Sequence, residues 1–272
     1  MALVTPDPLL GVAVRLASGE QSALARLPGG SLGYVLRRSP RSRSLRVTIN
    51  PTRGVVVSVP PATSRGWARP EPAIERFLAD REPWIRRHLA GIAASRAELA
   101  ARGGVADGAS IRYRGELHRL RIVAIPGRRS DVAREGGATG DELVVRLGAG
   151  DRRDVAAVLR DWFRTLAAAA IDREVARHAA ALGVVPARVD LRDPRTRWGS
   201  ASRDGRVMLS WRLVLAPPEA LETVVVHELA HLRVLGHGPR FWALVASRRP
   251  DHALWRRWLR THSMELHQAL GE

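Results

Sequence analysis

The segment from Leu221 to Leu235, L-E-T-V-V-V-H-E-L-A-H-L-R-V-L, restricts the fold of this chain more than any other part of its sequence. It is apolar enough to be buried, yet His227, Glu228 and His231 lie in its middle. Histidines four residues apart lie on one face of an α-helix, one turn from each other. Buried polar side chains are costly unless they are paired, hydrogen-bonded or bound to a metal. The segment therefore predicts a buried helix that carries a metal site.

The residues around this segment predict where the helix begins and ends. Pro217 and Pro218 suit the start of a helix, and Glu219 suits the positive end of its dipole. Gly236 suits a left-handed cap at the end of the helix. We expect the chain to turn there and to bring His237 back toward the first two histidines.

The pattern H-E-x-x-H is typical of two zinc ligands, His227 and His231, with Glu228 as a general base. A catalytic zinc takes a third protein ligand and leaves its fourth position open to water. His237, ten residues after His227, is the preferred third ligand. Glu265 is the alternative, because some zinc enzymes take a glutamate downstream of the helix.

The composition excludes several classes of protein. The chain has 272 residues, enough for one large domain or two small ones, and it has no cysteine. Disulfides and thiolate metal sites are therefore excluded. The N-terminal segment lacks a basic region, Pro6 and Pro8 interrupt its apolar run, and no apolar run reaches eighteen residues. We therefore expect no signal peptide and no membrane partner, and a cytoplasmic location.

The chain is strongly basic, with 44 arginine and lysine residues, all of them arginine, and a net charge of +17. Such a charge can attract nucleic acid. The densest basic run, Arg37–Arg46, is predicted to be a strand edge or turn. A solvated basic surface is the favoured interpretation, and a nucleic-acid partner is the alternative.

The order of patterns along the chain predicts an α+β protein. Residues 1–30 are expected to be a loose lead-in, residues 31–150 a mostly β N-terminal part, and residues 151–272 a helical C-terminal part that carries the H-E-x-x-H helix. Turn residues predict one hairpin at Asn50–Gly54 and another at Asp204–Gly205.

The sequence also predicts the structure of three shorter segments. Residues 72–100 are expected to be helical, and the polar, glycine-rich stretch from Pro126 to Gly140 is expected to be a mobile loop between strands. Residues 206–215 are expected to belong to a sheet beside the metal helix. The edge of such a sheet can bind an extended peptide by strand addition.

Several motifs together resemble those of the YgjP-like metallopeptidases, over roughly residues 34–260. They are T-R-W-G-S-A-S (Thr196–Ser202), L-S-W-R-L (Leu209–Leu213), V-V-V-H-E-L-A-H-L and G-H-G-P-R-F-W. The last motif is also similar to the SprT-like metalloproteases, and the family is related to the WLM metalloproteases. The resemblance implies a zincin-like fold, a zinc cofactor and a protein or peptide substrate.

The resemblance also implies roles for single residues. It places His227, His231 and His237 at the ligand positions and Glu228 at the position of the base. The implied reaction is hydrolysis of peptide bonds by a zinc-activated water. A second oxyanion donor is usual, and an arginine or histidine would have to supply it in a chain with so few tyrosines.

Two further positions retain the family motif, and two depart from it. Arg197 and Trp198 are retained. The favoured interpretation is structural, with Trp198 packed and Arg197 paired with an acid, and substrate binding is the alternative. Ala201 stands where the family usually has cysteine, and Ser210 where it usually has asparagine. Neither is a ligand position, so the metal site is unaffected.

The charge and the SprT-like motif leave two other functions open. The chain could be a nucleic-acid-associated protease, or a basic nucleic-acid-binding protein whose zinc site is structural. The presence of Glu228 favours catalysis, since a structural zinc site has no need of a base.

Overall fold

A computed structural model describes residues 3–4, 14–50, 53–101, 103–137, 140–194 and 197–271. In this part of the chain, six α-helices and four sheets alternate along the sequence, which confirms the α+β class. The chain divides into two compact units, Met1–Glu98 and Leu99–Glu272. The expected functional boundary between residues 150 and 151 stays a prediction.

The first unit contains a four-stranded sheet and a short two-stranded one. Strands β1 (Leu3–Val4) and β2 (Val14–Arg15) pair with each other; the larger sheet has the order β3 (Glu20–Leu27), β4 (Gly30–Arg38), β6 (Gly54–Val59) and β5 (Arg46–Asn50). The antiparallel pairing of β5 with β6 confirms the hairpin predicted at Asn50–Gly54.

Strand β3 corrects the expectation of a loose lead-in over residues 1–30. It pairs along its whole length with β4 as the edge of the sheet. Only Ala25 and Leu27 are buried, and most of its other side chains are exposed. An edge strand of this kind has a weak apolar pattern, and so its sequence did not indicate a strand.

The helical stretch expected over residues 72–100 consists of two helices, α1 (Glu71–Ala79) and α2 (Glu82–Ala101). Pro83 explains the break between them. Proline has no backbone N–H, so it cannot donate to the carbonyl of Ala79 and continue the first helix.

The second unit begins with a four-stranded sheet in the order β7 (Ser110–Tyr113), β8 (Glu116–Ile125), β10 (Gly140–Gly148) and β9 (Asp131–Gly137). Strand β9 lies in the middle of the stretch expected to be a mobile loop, so that prediction is wrong. The sequence of β9 is polar because β9 is an edge strand, and its charged side chains pair with those of the neighbouring strand. Arg146 contacts Asp131 at 3.1 Å and also pairs with Glu135, and Arg134 pairs with Asp141.

Helix α3 (Val155–Leu182) packs its apolar face into the main core of this unit. Asp154 starts the helix by accepting a hydrogen bond from the N–H of Ala157. Phe163 is fully buried and stacks on Trp211 with ring centroids 6.3 Å apart. The same core contains residues from the sheet, from α3 and from the helix that carries His227.

A three-stranded sheet follows, with β13 (Arg206–Ser210) between β11 (Arg188–Arg192) and β12 (Gly199–Ala201). Gly205, at φ 81°, makes the turn from β12 to β13, as the sequence predicted. The strand predicted over 206–215 is shorter, because the Ser210 hydroxyl accepts the N–H of Arg212 and begins a 3₁₀ helix at Trp211–Leu215.

Three helices complete the unit: α4 (Pro218–His231), α5 (Pro239–Arg248) and α6 (His252–Gln268). Asp251 precedes α6, but its carboxylate does not cap the helix; it accepts a hydrogen bond from Trp255 Nε1 at 2.7 Å. Among the described helices, none is both long enough and apolar enough to span a membrane.

Candidate metal centre

Helix α4 is held between two apolar clusters. Its residues Leu221, Val225 and Leu229 belong to the main core, and Val226 and Ala230 pack with Phe241 and Val245 of α5. Side chains at the intervening positions 227 and 231 are half-buried. The helix is therefore fixed on both sides while its histidines remain accessible.

The helix ends earlier than the sequence predicted. Its last residue is His231, and the next residues make tighter turns, with the N–H groups of Leu232 and Arg233 donating to Leu229 and Ala230. Gly236, at φ 80°, lies in the turn that follows and is not the helix cap. This turn returns the chain to the helix at His237.

The three histidines lie together. Their candidate ligand atoms are all within 4.8 Å of one another, and the Nε2 atoms of His227 and His237 are 3.2 Å apart. Nitrogen ligands bound at about 2.0–2.1 Å to a tetrahedral zinc are roughly 3.3 Å from each other. His231 donates from Nδ1 to the carbonyl oxygen of Val234, 3.3 Å away, which leaves Nε2 as its free lone pair. The arrangement fits a metal ion.

Burial keeps the imidazoles of His227 and His231 in the neutral form that binds metals. It lowers the pKa of His227 to about 3, and the neighbouring His231, His237 and Arg256 lower it further. Burial also lowers the pKa of His231, partly opposed by its hydrogen bond to Val234. A metal at this site would therefore displace few protons from these two histidines.

Phe241 supports all three imidazoles. Its fully buried ring has its centroid 4.9 Å from His227, 4.4 Å from His231 and 4.9 Å from His237. No local pattern marks Phe241 as a site residue, although it follows His237 by four residues within the G-H-G-P-R-F-W motif. Its position links the apolar contact between α4 and α5 to the orientation of the histidines.

Glu228 is nearly buried beside this cluster, with 6% of its surface exposed. Burial raises the pKa of its carboxyl to about 7, and the positive charge of Arg197 opposes that rise. A general base works best when its pKa is near the working pH. A carboxyl group with such a pKa can exchange a proton near neutrality.

An open cleft of about 370 Å³ leads to His227 and Glu228. Residues from three parts of the second unit line it: Trp198, Gly199, Thr223, Val224, Arg256, Leu259, Arg260 and Ser263. The last four belong to α6, which the sequence analysis did not connect with the site. The only available signal was the helical spacing of Arg256, Arg260 and Ser263 along one face.

Comparison with known protein families gives an independent result. The family model described as YgjP-like, metallopeptidase domain, matches residues 43–262. The chain belongs to the YgjP-like family. Neither the curated proteins nor the solved structures contain a match. Membership makes the chain a metallopeptidase, which implies a metal ion and a protein substrate.

The YgjP-like motif residues Arg197 and Trp198 lie at the mouth of the site. Trp198 is half-buried, packs against the main core and stacks on His267 at 4.6 Å. Arg197 is exposed. Its positive charge lowers the pKa of Glu228, so its guanidinium lies near that carboxyl group. The structure therefore places both beside the cleft, with Trp198 also serving the packing.

Glu265, the alternative third ligand in this YgjP-like chain, lies elsewhere. It forms an ion pair with Arg112, with Nε and Oε1 2.8 Å apart. It is not among the side chains grouped around His227. Of the two candidates, the structure brings only His237 to the other histidines.

Proposed function

We propose that this metallopeptidase is a zinc-dependent, zincin-like hydrolase of peptide bonds. His227, His231 and His237 hold the zinc ion, and Glu228 is the general base. The observation that carries the proposal is the 3.2 Å separation of His227 Nε2 and His237 Nε2, next to a buried carboxylate. The third imidazole also has its candidate ligand atom within 4.8 Å of these two nitrogens, which suits three ligands of a single ion.

Bound zinc is a Lewis acid that lowers the pKa of a water molecule and polarises a carbonyl group. Glu228 accepts the proton of the attacking water and returns it to the leaving amine. Burial raises the pKa of Glu228, which helps the carboxylate to take up the proton. Burial of Glu228 at the inner end of the cleft also limits its access to bulk water.

The neighbouring sheet offers a place for the peptide. Residues 206–210, expected to belong to this sheet, form its central strand, and β12 is an edge strand that pairs with β13 alone in the described part of the chain. Gly199 at the start of β12 lines the cleft. We place an extended substrate along this edge, where backbone hydrogen bonds bind it with little dependence on its sequence.

Zinc content tests the ligand set. We expect one zinc ion per wild-type chain and a strongly reduced content in His237→Ala. Glu265→Gln is the matched control, because it removes the alternative ligand and should leave the zinc content unchanged. Full occupancy in His237→Ala together with loss in Glu265→Gln would overturn the assignment of the third ligand.

The first unit favours a second candidate function, binding of single-stranded nucleic acid. An open cleft there is lined by two arginines and two aromatic rings: Arg46, Arg81, Phe77 and Trp84. Trp84 is 43% exposed, and the Arg81 guanidinium lies 3.8 Å from the centroid of the Phe77 ring. Cationic side chains beside exposed aromatic rings suit both the backbone and the bases of a single strand.

Salt-dependent binding tests this second function. We expect a labelled single-stranded oligonucleotide to bind the wild type, with affinity that falls steeply as salt is raised. Trp84→Ala should weaken binding, whereas Leu24→Ala, at an exposed apolar residue outside this cleft, should not. Absence of binding at physiological salt would leave the peptidase as the only function.

A further inference from the structure

Two arginines form one wall of the cleft that leads to His227 and Glu228. Arg256 and Arg260 lie on successive turns of α6, and both line the cleft. Like charges four residues apart on a helix repel each other. Partial burial, and then the charge of Arg260, lower the pKa of the Arg256 guanidinium. Holding both charges on one face therefore costs stability.

Neither arginine has a carboxylate partner in the part of the chain that the structure describes. The Arg256 guanidinium instead lies over the Trp242 ring, 4.0 Å from its centroid. Trp242 is itself stacked on His252 at 5.2 Å, so the position of Arg256 is well supported. Two other arginines of this unit do pair with acids: Arg212 with Asp193 at 2.7 Å and Arg249 with Glu222 at 2.8 Å.

The other residues that line the cleft do not neutralise the positive charge of Arg256 and Arg260. The floor of the cleft is apolar, formed by Val224 and Leu259, which are 7% and 3% exposed. Among the described residues that line it, Glu228 is the only acid, and Arg197 adds another positive charge nearby. The cleft combines an apolar floor with a cationic wall beside the site of proton transfer.

On the basis of the proposed peptidase function, we propose that Arg256 and Arg260 bind a carboxylate group of the peptide substrate close to the scissile bond. Guanidinium groups hold carboxylates by charge-assisted hydrogen bonds, often two at once. The apolar floor accommodates the methylene groups that carry such a carboxylate. The carboxylate is either a glutamate or aspartate side chain or the C-terminus of the peptide. In either case these two arginines determine specificity.

Arg260 is the better of the two for a test, because Arg256 also packs on Trp242. Arg257 provides the matched control: it is an exposed arginine on the same helix that does not line the cleft. Arg260→Gln and Arg257→Gln change the net charge equally. Circular dichroism and zinc content check that both variants fold and bind metal.

The experiment measures binding without turnover, in the zinc-loaded Glu228→Gln protein. The peptides of the first set are short, fluorescent and amidated, and each carries one glutamate in an otherwise uncharged sequence. The position of the glutamate differs from peptide to peptide, and each peptide is compared with one that has glutamine at the same position. A second set is uncharged and differs only in a free or amidated C-terminus. We expect about tenfold tighter binding of the carboxylate form in one set. Adding Arg260→Gln should abolish that preference, and adding Arg257→Gln should keep it.

The set that shows the preference identifies the source of the carboxylate. No preference in either set, or a preference that survives Arg260→Gln, would overturn the proposal. So would a single-stranded oligonucleotide that requires Arg260 for binding while the peptides show no preference. Cleavage of the same peptides by the wild type tests the peptidase function separately, because the binding measurement does not depend on hydrolysis.

Discussion

The backbone of Gly199 lies so close to Glu228 that a Cβ atom added at Gly199 would be 2.7 Å from Glu228 Oε1. The edge strand and the proposed base are therefore in direct contact. We predict that Gly199→Ala displaces the carboxylate and lowers peptidase activity by about 100-fold, since small misplacements of a catalytic group are costly. Steady-state hydrolysis of a peptide substrate measures the effect. Zinc content should stay at the wild-type level, and Ser200→Ala in the same strand should remain active.

Glu228→Gln separates metal binding from chemistry. The amide cannot accept the proton of water, so we expect hydrolysis to fall by at least about 100-fold while zinc binding persists. Activity assays and metal analysis on the same preparation measure both properties. Glu219→Gln, in the first turn of the same helix, should change neither. Normal turnover by Glu228→Gln would show that another group is the base.

Phe241→Leu tests whether the aromatic ring orients the histidines. Leucine keeps the core filled, at a cost of about 1 kcal/mol, but removes the flat ring that contacts all three imidazoles. We expect zinc affinity, measured by competition with a chelator, to fall about tenfold. Phe163→Leu removes an equally buried ring from the other side of the unit. A loss of zinc affinity as large in that variant would indicate general loosening of the fold.

His267 makes stability depend on pH. Burial, and then the charge of Arg212, lower the pKa of His267 to about 4, and Asp193 opposes the shift. The unfolded chain takes up this proton near pH 6.5, before the folded chain does. The contribution of His267 to stability is therefore complete above about pH 6.5 and is lost as the pH falls toward 4.

We expect the wild type to lose about 3 kcal/mol more stability than His267→Gln between pH 7 and pH 4. Denaturant unfolding at several pH values measures this difference. Because both proteins share the other titrating groups, their comparison isolates His267. Parallel pH profiles would show that His267 titrates in the same range whether the chain is folded or unfolded.

Local signals in the sequence were sufficient for the elements that they control directly. Prolines marked the start of α4, and the turn residues at Asn50–Gly54 and Asp204–Gly205 predicted two hairpins that the structure contains. The spacing of His227 and His231 within an apolar segment predicted the centre of the site. These features depend on residues that are close to one another along the chain.

The parts that could not be predicted depend on distant contacts. Strand β9 is stabilised by charges that pair across to β10, so its own residues look like a loop. Arg256 and Arg260 reach the cleft only because α6 packs beside α4, far from the H-E-x-x-H segment in sequence. Gly199 has no distinctive local pattern, and only the approach of Glu228 shows why a side chain is excluded there.

Strand β12 spans only Gly199–Ala201, which at about 3.4 Å per residue is an edge of roughly 10 Å. So short a template can hold only a few residues of a partner, and those residues must already be free of their own secondary structure. Compact proteins rarely expose such a stretch, whereas nascent, damaged or partly unfolded chains do. A protein would then be cleaved only where it is locally unfolded. Well-folded proteins would remain intact without any need for an inhibitor of the enzyme.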